Sequence, residues 1–239
     1  MDLQAWHIGT DADIERGQDR IDRVHDPVSL RNRRKVLLAH YYEENPQGES
    51  DRRVIQARMH GMDFFFSTDA EVFSKKFLDF GSRTLLETAI EDLSSANRKK
   101  GKLLDLGCGY GPIGIIMKRV FPSMEVTMAD INSRALELAR ENAENNSVKC
   151  VDIRKSDGCA SVEGLYDVVL TNPPVRAGKQ TVFSFYDGAF EHLSEGGFLY
   201  VVLQKKQGAP SSEKYLMEKF GNCEVIAKES GYWIMKAVK

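Results

Sequence analysis

From residue 101 onward the chain repeats one unit: a short apolar run, a turn, then a helix-length amphipathic segment. The pattern predicts strands at 103–106, 125–129, 148–153, 166–171, 197–203, 223–229 and 232–238, and helices at 112–120, 132–145, 182–193 and 211–220. Strands joined through helices run parallel, because a parallel pair needs a long crossover. Only about two residues around Gly231 part the last two runs, so these pair as an antiparallel hairpin. The expected fold is α/β: a doubly wound, mostly parallel seven-stranded sheet whose last strand is antiparallel. In such sheets ligands bind at the carboxyl ends of the strands, where the strand order reverses.

The first unit carries the strongest local signal, Leu103-Leu-Asp-Leu-Gly-Cys-Gly-Tyr-Gly-Pro-Ile-Gly114. A buried strand runs into Gly107, Gly109 and Gly111, which bring backbone close to a ligand, and Pro112 suits a first helical turn with free N–H groups. The spacing matches neither the dinucleotide fingerprint nor a triphosphate loop. Cys108 lies inside the loop, and Asp105 just before it can hold a charged part of a cofactor or brace the loop.

Three further strand ends carry polar groups. Asp130, followed by Ile131, ends Val126-Thr-Met-Ala-Asp130 and is placed for a ribose diol, while Asn132 suits an N-cap. Asp157, in Arg154-Lys-Ser-Asp-Gly158, is either an acceptor for an adenine amine or part of a plain Asp-Gly turn. Thr171-Asn-Pro-Pro174 fixes its own backbone through two prolines. It offers the Asn172 amide oxygen and a proline-locked carbonyl to one small target, and a planar NH2 fits that pair.

The segment before residue 101 is less patterned. Residues 1–35 are polar, with seven acidic and seven basic side chains, and end in Arg31-Asn-Arg-Arg-Lys35. They read as a flexible leader or an arm for RNA phosphates, with a weak helix over 30–39. Residues 36–100 are expected to form a hairpin at 53–59 and 62–68, a polar loop through Arg83, and a helix over 84–90 packing on the core that spans 101–239. Lys75, Lys76, Arg83, Arg176, Lys179, Lys205 and Lys206 fall in loops on the active edge, where they can meet phosphate or simply be solvated. A net charge of −2 over 239 residues neither selects nor excludes a nucleic acid. Four scattered cysteines match no metal or redox spacing, and with no signal pattern and no apolar run of membrane length a cytoplasmic protein is expected.

The glycine loop, Asp130 and Asn172-Pro-Pro174 together resemble the class I S-adenosylmethionine-dependent methyltransferases, in the branch that methylates amino groups. Within it, His40-Tyr-Tyr42, Val72-Phe-Ser-Lys75, Asp79-Phe-Gly-Ser82, Asn172-Pro-Pro-Val-Arg-Ala-Gly-Lys179 and Gln204-Lys-Lys-Gln-Gly208 are similar to the small-domain family that includes the 16S ribosomal RNA guanine-N2 methyltransferases. The resemblance implies the Rossmann-like fold of those enzymes, with S-adenosyl-L-methionine as cofactor and no metal. It implies Gly107, Gly109 and Gly111 around the methionine portion, Asp130 at the ribose, Asp157 near the adenine, and Asn172 with Pro173 at the target NH2. Ribosomal RNA or the small subunit is the implied partner, as a monomer or a homodimer. Adenine-N6 of RNA or DNA, a protein glutamine, or a non-catalytic binding role are the alternatives. Two departures stand out. Val175 replaces the aromatic that often follows Pro174, leaving Phe73, Phe77 and Phe80 as stacking candidates. Well-known bacterial members also carry a second, degenerate copy of the domain, so substrate recognition here is expected to differ or to be shared with another subunit.

Overall fold

The computed structural model describes residues 52–69 and 78–239. The leader, its basic run, the helix over 30–39, His40–Tyr42, Phe73, Lys75, Lys76 and Phe77 lie outside the described residues. The expected sheet is present: seven strands in the order β5-β4-β3-β6-β7-β9-β8. These are β3 (Gly101–Leu106), β4 (Met124–Asp130), β5 (Val151–Lys155), β6 (Tyr166–Thr171), β7 (Leu193–Gln204), β8 (Glu224–Glu229) and β9 (Tyr232–Val238). A separate hairpin, β1 (Arg53–Met59) with β2 (Met62–Thr68), precedes them. The last strand runs antiparallel to both its neighbours, inserted between β7 and β8 rather than added at the edge.

Alternation inside the apolar strands sorts side chains to two cores. Leu103, Val168, Leu170 and Tyr200 join one with α1 (Phe80–Ser95), α2 (Pro112–Val120), α3 (Ser133–Asn145) and the hairpin. Leu104, Val169, Leu199 and Val201 join the other with α4 (Lys179–His192) and α5 (Ala209–Phe220). β3 and β6 are adjacent and parallel, yet the chain leaves β3 toward β4 on one side and β6 toward β7 on the other. That split is the switch point. Thr171 Oγ1, fully buried, donates to the Leu106 carbonyl at 2.8 Å and ties the two strand ends there.

Several boundaries differ from expectation for local reasons. α1 starts at Phe80 rather than 84, because Asp79 caps it: its Oδ1 accepts from Ser82 N at 3.0 Å. The expected polar loop therefore ends before Phe80, and Arg83 sits in the first helical turn. β5 starts at Val151, not 148, since Cys150 takes a φ of 58° that no strand residue adopts. α4 and α5 each begin earlier, directly after Gly178 and Gly208.

Two asparagines of α3 and its cap join the hairpin to the sheet. Asn142 Oδ1 accepts from Ser67 N at 2.6 Å, and its Nδ2 donates to the carbonyls of Ser67 and of Tyr110 in the glycine loop, both at 2.9 Å. Asn146 makes the same two-way pair with Phe65, at 3.0 and 2.7 Å. Replacement of fully buried Asn142 by Ala removes three hydrogen bonds to backbone groups. The expected loss is about 3 kcal/mol of stability, read as an earlier urea midpoint at unchanged slope.

Candidate functional site

A cavity of about 340 Å³ opens at the carboxyl ends of β3, β4 and β6, within the range usual for small-molecule sites. Its floor is the glycine loop. Gly109 has a φ of 56° and nothing within 4 Å of the place where a Cβ would stand, so the missing side chain leaves room for a ligand. Gly111 serves packing instead: at a φ of 89° it precedes α2, with Ala139 only 3.2 Å from where its Cβ would be. Gly107 and Cys108 line the cavity while their N–H groups donate to the Ala129 carbonyl at 2.8 and 3.0 Å.

Asp130 faces this floor. Its Oδ2 accepts from Gly109 N at 2.8 Å and its Oδ1 from Asn132 N at 2.9 Å, and Asn132 caps α3 as its position suggested. Each oxygen keeps lone pairs for a ligand, and the two backbone donors fix its orientation. Ile131 lines the same wall.

Asp105 does not reach the cavity. Side chains alternate along β3, so it points with Leu103 toward α2, where Oδ2 accepts from Gly114 N at 2.8 Å. Of its two possible roles the structure shows bracing, and it takes up one of the N–H groups that the sequence left free in the first turn of α2. Its other oxygen is buried without a partner. Burial pushes the carboxyl up from its ordinary 3.8 to about 7, with the Asp130 charge adding to the rise and the Gly114 bond opposing it.

The opposite wall is Asn172-Pro173-Pro174. Pro174 forms an inverse γ-turn, with φ −75° and ψ 76°, and Val175 N donates to the Pro173 carbonyl at 2.8 Å, leaving that carbonyl one lone pair. Asn172 Nδ2 donates to Ser82 Oγ at 3.0 Å and, at 3.4 Å, to Asp79 Oδ1. Its amide end is thereby held, and its oxygen is left as the free acceptor. Burial raises the Asp79 and Asp130 carboxyls as well. No Lys or Arg pairs with Asp79, Asp105 or Asp130 among the described residues.

Of the other expected residues, Arg176 lines the cavity mouth. Asp157 stands exposed between Ser156 and Gly158, which do line it. Lys179 and Lys205 lie off the cavity wall, Lys179 with its Nζ 5.0 Å from the Phe183 ring centre. Phe80 is not on the wall either; its ring packs at 5.7 Å against Tyr232, which is. Sequence reasoning missed Asp79, Ser82, Gln204, Gln207 and Tyr232 as parts of one wall. The available signal was the pair of short motifs holding four of them. Among the described residues no cluster of His, Cys, Asp and Glu is arranged for a metal ion, and no helix is long and apolar enough to cross a membrane.

The sheet order with its reversed last strand and the open glycine loop beside an acid define a class, the Rossmann-like S-adenosylmethionine-dependent methyltransferases. Within it, the methyltransferase small-domain model matches residues 63–236, and the chain belongs to that family. It is 43% identical over 205 residues to the uncharacterized protein YbxB of Bacillus subtilis, covering 85% of this chain and 100% of that one. It is 34% identical over 172 residues to the ribosomal RNA small subunit methyltransferase C of Haemophilus influenzae, covering 70% of this chain. There it spans about half the relative's length, 49%. Among solved structures, a T. thermophilus 16S rRNA N2 methyltransferase in complex with AdoMet and guanosine superposes with a TM-score of 0.70 at 26% identity, over 81% of this chain and 52% of that one.

The residues fit S-adenosylmethionine: a glycine with no side chain in the way and a fixed carboxylate with spare acceptors suit a nucleoside, and the carboxyls of Asp79 and Asp130 on the wall suit its sulfonium charge. The Asp105 proton is testable. In the fold Asp105 keeps its proton up to about pH 7, whereas the unfolded chain releases it near 3.8. Between those values the folded state binds more protons, so rising pH costs stability. Asp105→Asn, which keeps an acceptor for Gly114, is expected to flatten the fall in melting temperature between pH 5 and 8.

Proposed function

We propose that this chain transfers a methyl group from S-adenosyl-L-methionine to the exocyclic N2 amine of a guanine in small-subunit ribosomal RNA. The observation that carries the reading is the held Asn172 amide: with Nδ2 spent on Ser82 and Asp79, its oxygen and the spare lone pair of Pro173 form a two-acceptor site for a planar NH2. The likeness to ribosomal RNA small subunit methyltransferase C, and to a structure holding AdoMet and guanosine, supports the choice of substrate.

Gly107, Gly109, Cys108, Asp130 and Ile131 would hold the cofactor, with Asp157 near the adenine and Gly111 and Asp105 shaping the loop from behind. The cofactor supplies a methyl group that is already electrophilic. The chain's task is alignment. An aryl NH2 has its lone pair delocalised into the ring. Asn172 Oδ1 and the Pro173 carbonyl accept its two hydrogens, hold the nitrogen in line and stabilise the positive charge that develops on it. The surplus proton leaves to water once the bond has formed, so no tuned general base is required. A paired guanine must first leave its stack, and Arg176 at the mouth holds phosphate, with Lys75, Lys76, Lys179 and Lys205 as its proposed companions. The protein works in the cytoplasm, where its substrate is made.

Purified protein, labelled cofactor and undermodified small subunits should yield N2-methylguanosine on nucleoside analysis; N6-methyladenosine, or label in protein alone, would overturn the assignment. Asn172→Ala is expected to lower kcat by at least about 100-fold, a loss of the size seen on removing one transition-state hydrogen-bonding group, with cofactor affinity little changed. Arg176→Ala should weaken RNA binding across sequences and reduce the slope of log affinity against log salt by about 1.

A further inference from the structure

Val175, directly after the Asn-Pro-Pro turn, lines the cavity but has no flat face for a bound base, so a stacking surface has to come from elsewhere on the wall. Among the described residues three aromatic side chains line the cavity: Tyr110, Phe185 and Tyr232. Tyr110 and Phe185 are buried, and Phe185 packs under Gly107, 3.0 Å from where a Cβ would stand. Tyr232 alone of the three is half-exposed.

Its ring is set by the same turn that holds Asn172. An ideal Cβ on Gly81 would stand 2.7 Å from Tyr232 Cε1, so only glycine lets the ring lie there, and Phe80 backs it at 5.7 Å. The next residue, Ser82, accepts from the Asn172 amide. The stretch Asp79–Ser82 thus places an aromatic face and the amine acceptor side by side. Gln204 lies directly opposite Tyr232 in the β7–β9 register, so both side chains leave the same face of the sheet. Gln204 also lines the cavity, and its carboxamide has no hydrogen-bond partner among the described residues. A carboxamide offers a donor and an acceptor together, the complement of a purine edge.

We infer that Tyr232 is the platform on which the ring of the target base stacks, and that Gln204 binds the edge of that base. This rests on the N-methyltransferase reading above and deepens it: the cavity takes a flipped-out purine nucleoside rather than an aliphatic amide. Tyr232 is here a substrate-binding residue, and Phe80 its support.

The test titrates guanosine into the full-length protein saturated with S-adenosylhomocysteine, which needs no turnover, and in parallel measures kcat and KM on small subunits. Tyr232→Leu keeps an apolar contact for Phe80 but removes the planar face. It is expected to weaken guanosine binding and raise KM by about 10- to 100-fold, the range of base–aromatic stacking, with the affinity for S-adenosylhomocysteine and the melting temperature unchanged. Tyr232→Phe should restore guanosine binding, and Gln204→Leu should weaken it by about 10-fold. Wild-type guanosine affinity in Tyr232→Leu, or no nucleoside binding by the wild type, would overturn the inference. The two readings separate cleanly. Subunit methylation with wild-type KM in Tyr232→Leu sinks only the platform, whereas Tyr232-dependent guanosine binding without N2-methylguanosine sinks only the assigned reaction.

Discussion

The site depends on the parting of β3 and β6. Two parallel strands lie side by side, but their continuations leave in opposite directions, so no loop closes over the carboxyl end between them. Such a gap would be free to widen, and Thr171 prevents it by donating to the Leu106 carbonyl. The glycine loop and the Asn-Pro-Pro turn begin on either side of this tie. Their separation, which sets how far an acceptor on one stands from a ligand on the other, is fixed by the sheet rather than by the loops.

A second constraint is electrostatic. Asp79, Asp105 and Asp130 all meet a desolvation cost, and none has a cationic partner among the described residues. A protein built only for stability would gain by replacing such groups. Each instead holds a backbone N–H or the Asn172 amide, so the cost secures the geometry of both walls.

The sheet was legible because its signals are local. Strand length, two-residue alternation, glycine at turns and the short gap at Gly231 are all read within windows of about ten residues, and the direction of the strands followed from them; their order across the sheet, set by packing over longer range, did not. The site was legible only in part. Asp130 and Asn172 stand at strand ends, where topology itself points. The partner of Asn172 lies 90 residues earlier, in a segment whose first turn reads as polar loop until Asp79 is seen to cap it. Tyr232 belongs to a hairpin that sequence alone places anywhere along the far half of the sheet. Asp105 could have been resolved, since its parity with Leu103 turns it away from the cavity side; the acid-before-glycine pattern drew attention from that alternation.

The asparagine pairs on β2 have a consequence beyond joining two pieces. A two-stranded ribbon exposes a row of unpaired N–H and C=O groups along each edge, and such rows recruit strands from other molecules. On β2 the outward groups of Phe65 and Ser67 are each answered by a side-chain amide, whose donor and acceptor copy those of a neighbouring strand. One helical turn bearing Asn142 and Asn146 thus acts as a surrogate third strand. It closes that edge to self-association without adding another strand to the chain.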